Sequence, residues 1–355
     1  MPKPSDDGFL LSRLRLQLSG AEDLTAQLSA VTFSPEGHLW VGSDELRSVE
    51  RLSIVAPYSY GERKSFPLDD LLGLSGEDEI DIEGMDYAGG YLYLTGSHSL
   101  KRRRARGKQS DAVRLETVVR EPNRYLVARV PVVNGELLKS YAPAEGADAP
   151  LRAGALPLTD SGNTLTDALR DDPHLGPFLS FPLPGKDNGF DIEGLAVVGE
   201  RIFLGFRGPV LRGVAVVLEI MLEERGDALE LKPLGKGRKK PLYKKHFLNL
   251  RGLGVRDLIF CGGDLLVLAG PTMSLEGEMA LFRWRKPLEA EGDAVVSEGA
   301  GLELVFDLPF TVGSDHAEGL ALTSILGEDA LMVVYDAPDD ARLFAGGVYA
   351  DAYRI

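Results

Sequence analysis

Short runs of alternating apolar and polar residues recur along this chain, and this pattern predicts β-strands. Three copies of one signature have an apolar residue, Glu, Gly and a second apolar residue, followed after a short gap by another apolar run, at residues 82–85, 192–195 and 317–320. The same two runs recur without the Glu near residues 30–42 and 257–268. Aligning the five copies places five residues at one equivalent position: Ser29, Glu83, Glu193, Arg256 and Glu318.

The copies continue with a third run and, in four of them, a fourth run that ends before the next copy begins. The predicted fourth strands lie at residues 64–68, 179–183, 245–248 and 304–308. Four short strands per repeat make a blade of a β-propeller. The last copy lacks a fourth run, whereas residues 14–18 form an unused run at the other end of the chain. We therefore predict an all-β propeller of five four-stranded blades, with the ring closed by the N-terminal strand.

The interval between Glu83 and Glu193 is roughly twice as long as the other intervals. It contains either an insertion in blade 2 or a sixth blade hidden between residues 124 and 175. We favour the insertion, because residues 164–170 read as a short helix capped by Asn163. Six blades is the alternative.

The predicted organisation is a single propeller domain over residues 1–355. Blade 2 carries insertions at 98–123 and 142–176, and blade 3 carries one at 223–241.

Three stretches carry a resemblance to a known family: DIEGMDYAGGYLYLTGSHSLKRR, KDNGFDIEGLAVVGERIFLGFRGPVLRG and DHAEGLAL. They resemble a bacterial domain-of-unknown-function family related to esterase-like phytase-type β-propellers. The resemblance runs from about residue 79 onward, and GFRGPVLRG is its most specific part. It implies the propeller fold and adds weight to a hydrolase, although the family brings no settled activity.

The chain is acidic, with 39 Lys and Arg against 54 Asp and Glu and a formal net charge of −15. Such a surface repels nucleic acid and anionic lipid, so we expect neither as a partner. The N-terminal residues contain no apolar stretch of signal-peptide length. We expect a soluble, cytoplasmic protein; the oligomeric state stays open.

In a propeller the first strand of each blade lines the central channel, so carboxylates two residues apart on these strands converge there. The candidate metal ligands are Asp81, Glu83, Asp191, Glu193, His316 and Glu318. Oxygen ligands without thiolates favour Ca²⁺ over zinc, with Mg²⁺ or no metal as the alternatives. The structural alternative is that these carboxylates accept hydrogen bonds from neighbouring blades and fix the blade spacing.

The loops after the second strands add donors on the same face. We predict His98, Arg207 and Glu193 as catalytic residues, and four cations as substrate-binding residues: Lys101, Arg102, Arg212 and Arg256. Arginine beside a metal stabilises developing negative charge, and a histidine exchanges protons near neutral pH.

These residues support two hypotheses for the function. The first is a metal-dependent hydrolase of a phosphoester, carboxylic ester or lactone, which would take a small anionic or ester substrate. The second is a noncatalytic propeller that binds a small ligand or a protein partner. No G-x-S-x-G, P-loop, dinucleotide or H-E-x-x-H motif occurs in the chain.

Overall fold

The computed structural model describes residues 9–74, 76–102, 111–143, 150–235 and 240–355. Their main sheets are antiparallel and form five blades, and the first strand of each blade contacts the first strands of its two neighbours. The five first strands therefore surround a central channel, and the predicted five-bladed propeller is confirmed.

The described part of the chain begins with a strand that completes the last blade. It then builds blade 1 from the channel outwards and adds a short helix. These elements are β1 (Leu10–Gln17), β2 (Leu28–Phe33), β3 (Leu39–Ser43), β4 (Ser48–Ala56), β5 (Ser59–Pro67) and α1 (Asp69–Leu72).

Blade 2 carries most of the irregular structure. Its elements are β6 (Ile82–Ala88), β7 (Tyr91–Gly96), β8 (Lys101–Arg102), α2 (Asp111–Glu116), β9 (Val118–Val119), β10 (Val127–Val133), β11 (Glu136–Leu137), β12 (Ser140–Tyr141), β13 (Leu151–Arg152), β14 (Gly154–Ala155), β15 (Leu158–Thr159), β16 (Gly162–Asn163), α3 (Thr164–Leu169) and α4 (Gly176–Ser180). The order from the channel outwards is β6, β7, β10 and β14.

Blades 3, 4 and 5 are more regular. They contain β17 (Asp191–Val198), β18 (Arg201–Gly208), β19 (Ala215–Arg225), β20 (Ala228–Leu231), β21 (Tyr243–Leu248), β22 (Gly254–Cys261), β23 (Asp264–Gly270), β24 (Met279–Trp284), β25 (Val295–Val296), β26 (Leu302–Leu308), β27 (His316–Ile325), β28 (Glu328–Asp336), β29 (Leu343–Phe344) and β30 (Gly347–Arg354). Short 3₁₀ helices occupy Glu22–Ala26, Pro122–Tyr125, Gly185–Asp187, Pro287–Glu289 and Asp340–Arg342.

The ring closes as the sequence predicts. Strand β1 pairs antiparallel with β30 and becomes the outer strand of blade 5. Residues Arg15 and Leu16 also pair with Ser59 and Tyr60 of blade 1, which joins the first and last blades in one hydrogen-bonded sheet. Pairing both ends of the chain in this way protects a strand edge that would otherwise be exposed.

Two local predictions in blade 2 have opposite outcomes. The helix capped by Asn163 is confirmed, because the Asn163 side chain accepts a hydrogen bond from the Thr166 backbone at 3.0 Å. The fourth strand predicted at 179–183 is wrong. Residues 176–180 form α4, with Pro177 in its first turn, and Pro182 and Pro184 cannot donate the backbone hydrogen bonds of a strand. The two-residue strand β14 takes the outer position instead.

Each first strand contains a β-bulge at the aligned position. The register with the second strand skips one residue in each blade, and these residues are Ser29, Glu83, Glu193, Arg256 and Glu318. A bulge redirects the side chain of the extra residue. The five copies of the sequence signature therefore place five bulged side chains around the channel.

A glycine after the bulged glutamate lets neighbouring first strands approach closely. A Cβ atom on Gly84 would lie 2.8 Å from the Cβ of Leu195, and one on Gly319 would lie 3.0 Å from Val31. Both neighbours belong to the first strand of an adjacent blade. The Glu-Gly pairs thus combine a channel-facing acid with the narrow spacing that a five-bladed ring requires.

The apolar core is divided into five layers, one between each pair of adjacent blades. Strand β7 illustrates how alternation builds them: Tyr91 and Tyr93 pack towards blade 3, whereas Leu92 and Leu94 pack towards blade 1. Successive residues of a strand point to opposite faces, so each blade contributes to two layers.

Within the described ranges no helix has the length and apolar character needed to cross a bilayer. The cytoplasmic location stays a prediction. The domain limits and insertion bounds also stay predictions, and residues 103–110, 144–149 and 236–239 of those insertions lie outside the described residues.

Candidate site at the channel mouth

The bulged residues of blades 3, 4 and 5 form a continuous chain of ion pairs. Arg207 contacts Asp191 and, through Nη1, Glu193 Oε1 at 2.5 Å. Arg256 lies with its Nε 3.0 Å from the other oxygen of Glu193 and contacts Glu318 through Nη2. Arg207 is itself a skipped residue in the pairing of β17 with β18, which brings its guanidinium beside these acids.

This chain engages two arginines that the sequence assigned to catalysis and substrate binding. Burial alone would lower the pKa of Arg207, but Asp191 and Glu193 raise it well above the usual value. The pKa of Arg256 is raised in the same way by Glu193 and Glu318, against the effect of burial. Both guanidinium groups remain charged and are already neutralised by protein carboxylates.

A second set of ion pairs fixes the blade 2 side of the mouth. Arg124 contacts Asp81 and donates a hydrogen bond to the Ser99 hydroxyl at 2.9 Å. Lys101 bridges two acids, with Nζ 2.6 Å from Glu79 and 2.7 Å from Glu121.

Arg102 completes this set. Its Nη2 lies 2.5 Å from Asp187 at the start of blade 3. The two cations that the sequence assigned to substrate binding in blade 2, Lys101 and Arg102, therefore both hold protein acids.

Two partly buried acids at the mouth form no ion pair with any described residue, and the exposed Glu45 and Asp78 of the same wall form none either. Glu83 and Asp44 form no hydrogen bond or ion pair there, and Oδ1 of Asp44 is buried without a hydrogen-bond donor. Burial and the charges of Asp81, Glu193 and Glu318 raise the pKa of Glu83 well above its usual value. Burial, with Asp81 and Asp336, raises the pKa of Asp44 to about 7.

These groups line a cavity of about 1100 Å³. Among the described residues of its wall, twelve are acidic and six are basic. Asp191, whose side chain is only 1% exposed, has an Oδ1 atom without a hydrogen-bond donor in that part of the chain. The mouth therefore combines an excess of negative charge with buried acceptors, which suits a positively charged group.

His98 lies behind the cavity. Its Nδ1 donates to the Gly96 carbonyl at 2.8 Å, so its Nε2 accepts from Asn163 at 2.9 Å. Burial lowers the pKa of His98 to about 4. The ring is thus neutral and connects β7 to the cap of α3, and it is absent from the described cavity wall.

The remaining predicted residues lie at the edge of the site. His316 is partly exposed, with Nε2 3.3 Å from Glu276 and Nδ1 4.0 Å from Asp336. The nearby Asp336 carboxylate is the main reason why the pKa of His316 is raised, and Glu276 adds to the effect. Arg212 is exposed in the turn between β18 and β19 and lies outside the cavity wall.

The six predicted metal ligands come together only in part. Asp81, Asp191, Glu193 and Glu318 each contact an arginine, Glu83 does not, and His316 is bonded elsewhere. The described residues contain no group of three or more His, Cys, Asp or Glu side chains placed to hold a metal ion. Calcium binding stays a prediction.

Sequence reasoning missed several residues of the mouth: Asp44, Glu79, Glu121, Arg124, Lys186 and Asp336. A usable signal existed for two of them. Asp44 and Asp336 lie at the ends of the second strands of blades 1 and 5, where blade 3 has Arg207. Arg124 precedes a third strand, so the alignment of first and second strands could not find it.

The fold and this site define a five-bladed β-propeller with an acidic channel mouth. The chain belongs to the family described as "Protein of unknown function (DUF3616)", which matches residues 27–351. The family resemblance is thereby confirmed, whereas its relation to esterase-like phytases stays a prediction. A comparison with curated proteins finds no match.

Solved structures with an overall likeness include two enzymes. The PQQ-bound form of aldose sugar dehydrogenase from Streptomyces coelicolor is 14% identical with a TM-score of 0.39, covering 96% of this chain and 98% of that one. Virginiamycin B lyase from Staphylococcus aureus is 9% identical with a TM-score of 0.39, covering 97% and 99%. Likeness at this level carries no argument about activity.

Proposed function

We propose that this protein is a noncatalytic propeller that binds a small positively charged ligand at the channel mouth. The observation that carries the proposal is the contrast between neutralised and unneutralised acids in one cavity. The acids beside Arg207, Arg256 and Arg124 form direct ion pairs, whereas the partly buried Glu83 and Asp44 form none with the described residues.

An unpaired buried carboxylate is costly, and it is retained more readily where a ligand neutralises it. Glu83 and Asp44, which are only partly buried and line the cavity, could each accept a hydrogen bond from an N–H group of that ligand. The surplus of acidic over basic side chains in the wall attracts a cation and repels the small anionic substrate expected from the sequence.

An organic cation fits these residues better than a bare metal ion. A calcium ion needs six to eight oxygen ligands at 2.3–2.6 Å. No cluster of three acids or histidines meets this requirement in the described parts of the chain. An ammonium group instead needs one charge partner and a few hydrogen-bond acceptors. Ca²⁺ and Mg²⁺ are the inorganic alternatives.

The second candidate is the predicted hydrolase, acting on an ester, phosphoester or lactone. The observation that favours it is a pKa raised to about 7 in both Asp44 and Glu318, mainly by burial. Carboxyl groups of this pKa can exchange protons at neutral pH. The phytase-type relation would add weight. Arg207 and Arg256 would have to exchange protein carboxylates for substrate, and His98 would have to leave its buried position.

Isothermal titration of the full chain with n-butylammonium, Ca²⁺ and Mg²⁺ tests the binding proposal. We expect saturable binding of the ammonium probe that Glu83→Gln weakens at least tenfold. Glu36→Gln, which removes an exposed charge from a turn on the opposite face, is the matched control and should change nothing. If no cation binds, the proposal is wrong.

The same preparation should be assayed with p-nitrophenyl acetate, p-nitrophenyl phosphate and δ-valerolactone, with and without Ca²⁺. Turnover that Asp44→Asn abolishes would favour the hydrolase. Absence of turnover together with ammonium binding would favour the noncatalytic function.

A further inference from the structure

We infer that the ligand of the channel mouth is a zwitterion, in which a short aliphatic chain separates an ammonium group from a carboxylate. The inference rests on the proposed function and adds the second half of the ligand. It comes from the distribution of unpaired charges over the cavity wall. Among the described residues of the wall, the partly buried Glu83 and Asp44 form no ion pair, and Lys186 is the one cation that forms neither an ion pair nor a hydrogen bond.

Most basic side chains of the cavity already have partners. Four contact protein carboxylates: Lys101, Arg102, Arg124 and Arg207. A fifth, Arg120, donates to the Asp160 carbonyl at 3.2 Å, and its guanidinium lies 5.7 Å from the centre of the Tyr125 ring. These five cations are therefore occupied by the protein itself.

Lys186 differs from them. It is exposed in the 3₁₀ helix Gly185–Asp187 and forms no hydrogen bond or ion pair with any residue that the structure describes. It nevertheless influences Asp44 across the cavity, where its charge partly opposes the effects that raise the pKa of that acid. Lys186 and Asp44 thus line the same cavity, and no ion pair joins them.

The wall also contains apolar side chains. Leu100, Leu115, Val119 and Pro184 line the same cavity as Asp44 and Lys186. Methylene groups of a ligand could contact these side chains while its two ends meet opposite charges. Buried aliphatic contact of this kind adds favourable free energy for each methylene group.

The presence of Lys186 also predicts which ligands the site prefers. A simple alkylammonium ion satisfies the acids and leaves Lys186 unpaired, and a diamine places a second positive charge near it. An ω-amino acid satisfies both ends. Like charges brought together weaken binding, so the lysine both attracts the zwitterion and disfavours the diamine.

Matched probes measured at about pH 7 test the inference, because amines and carboxylates of this kind are both ionised there. The probes are 4-aminobutyrate and 6-aminohexanoate, n-butylammonium and n-hexylammonium, and 1,4-diaminobutane. Affinities are determined by isothermal titration of the wild-type chain, Lys186→Gln and Lys286→Gln. Lys286 is an exposed lysine in the loop after β24, on the opposite face, and is the matched control.

We expect at least one amino acid to bind about fivefold or more tightly than the alkylammonium of equal chain length, as one exposed ion pair allows. Lys186→Gln should bring this ratio close to one without weakening the alkylammonium, and should relieve the penalty on the diamine. Lys186→Arg should keep the preference, and Lys286→Gln should leave every ratio unchanged.

The two proposals fail in distinguishable ways. If the alkylammonium binds in a Glu83-dependent manner but no amino acid exceeds it, the zwitterion inference is wrong and the cation site stands. A preference that survives Lys186→Gln would also overturn the inference. If neither amines nor amino acids bind, both the inference and the proposed function are wrong.

Discussion

The two sides of the channel mouth differ in how their acidic side chains are neutralised. On the side of blades 3 to 5, Asp191, Glu193 and Glu318 alternate with Arg207 and Arg256. On the side of blades 1 and 2, Glu83 and Asp44 line the cavity without a direct ion pair to any described residue. The comparison teaches that equivalent positions of a repeat can serve structure in one blade and recognition in another.

The largest loss of stability should follow removal of an arginine from the ion pairs of blades 3 to 5. Arg207→Met leaves Asp191 and Glu193 without their main partner, and removing one member of a buried ion pair costs about 3–5 kcal/mol of unfolding free energy. Urea denaturation at neutral pH measures it. Arg212→Met, an exposed arginine in the next turn, should stay within about 0.5 kcal/mol of the wild type. A loss below about 1 kcal/mol for Arg207→Met would contradict a structural role.

A smaller loss of stability is expected when His98, which lies behind the cavity, is replaced. His98→Ala removes the acceptor for Asn163 and the donor to Gly96, and leaving such buried groups unsatisfied costs about 1–3 kcal/mol. The melting temperature should fall, and n-butylammonium should bind with unchanged affinity. Weaker binding by a variant that is still folded would show that His98 acts on the ligand.

Glu83→Gln should change the free energy of unfolding in the opposite direction and stabilise the unliganded protein. The pKa of Glu83 is raised in the folded state, so its ionisation disfavours folding once the pH exceeds the unfolded value near 4.3. The gain should be absent near pH 4 and grow as the pH rises towards neutrality. Denaturation across this range measures it, with Glu36→Gln as the control. A destabilising effect at pH 7 would mean that Glu83 has a partner.

The smallest effect concerns the rim. Lys101→Gln removes partly exposed ion pairs to Glu79 and Glu121, which contribute less than about 1 kcal/mol and weaken as salt screens them. Denaturation at low and high ionic strength should therefore give a difference that shrinks with salt. A large difference that ignores salt would indicate a buried role for Lys101.

The sequence was sufficient to predict the architecture, because alternation and repetition are properties of the chain itself. It also placed the five aligned positions correctly on the first strands, although it could not show that a bulge forms at each of them. Blade 2 was harder. Its outer strand has only two residues, and no periodic pattern marks so short a strand.

The ion-pair and hydrogen-bond partners of the site residues were the feature that the sequence predicted least well. Arg207 was recognised as unusual, but its contact with both Asp191 and Glu193 depends on a shift in the pairing of β17 with β18. His98 lies in the expected loop, yet a positive φ of 57° sends its ring into the protein. These contacts and side-chain orientations depend on the geometry of the whole ring, which local sequence patterns do not encode.

The central claim is that the unpaired acids bind a cation, and proton release on binding tests it most directly. Burial raises the pKa of Asp44 to about 7, so this carboxyl is partly protonated at neutral pH, and the pKa of Glu83 is raised as well. A bound ammonium ion favours the charged forms of these carboxyl groups, so binding should release protons. Titrating n-butylammonium in two buffers of different ionisation enthalpy should reveal proton release that Asp44→Asn reduces and Glu36→Gln leaves intact. Binding without proton release, or no binding in either buffer, would contradict the account.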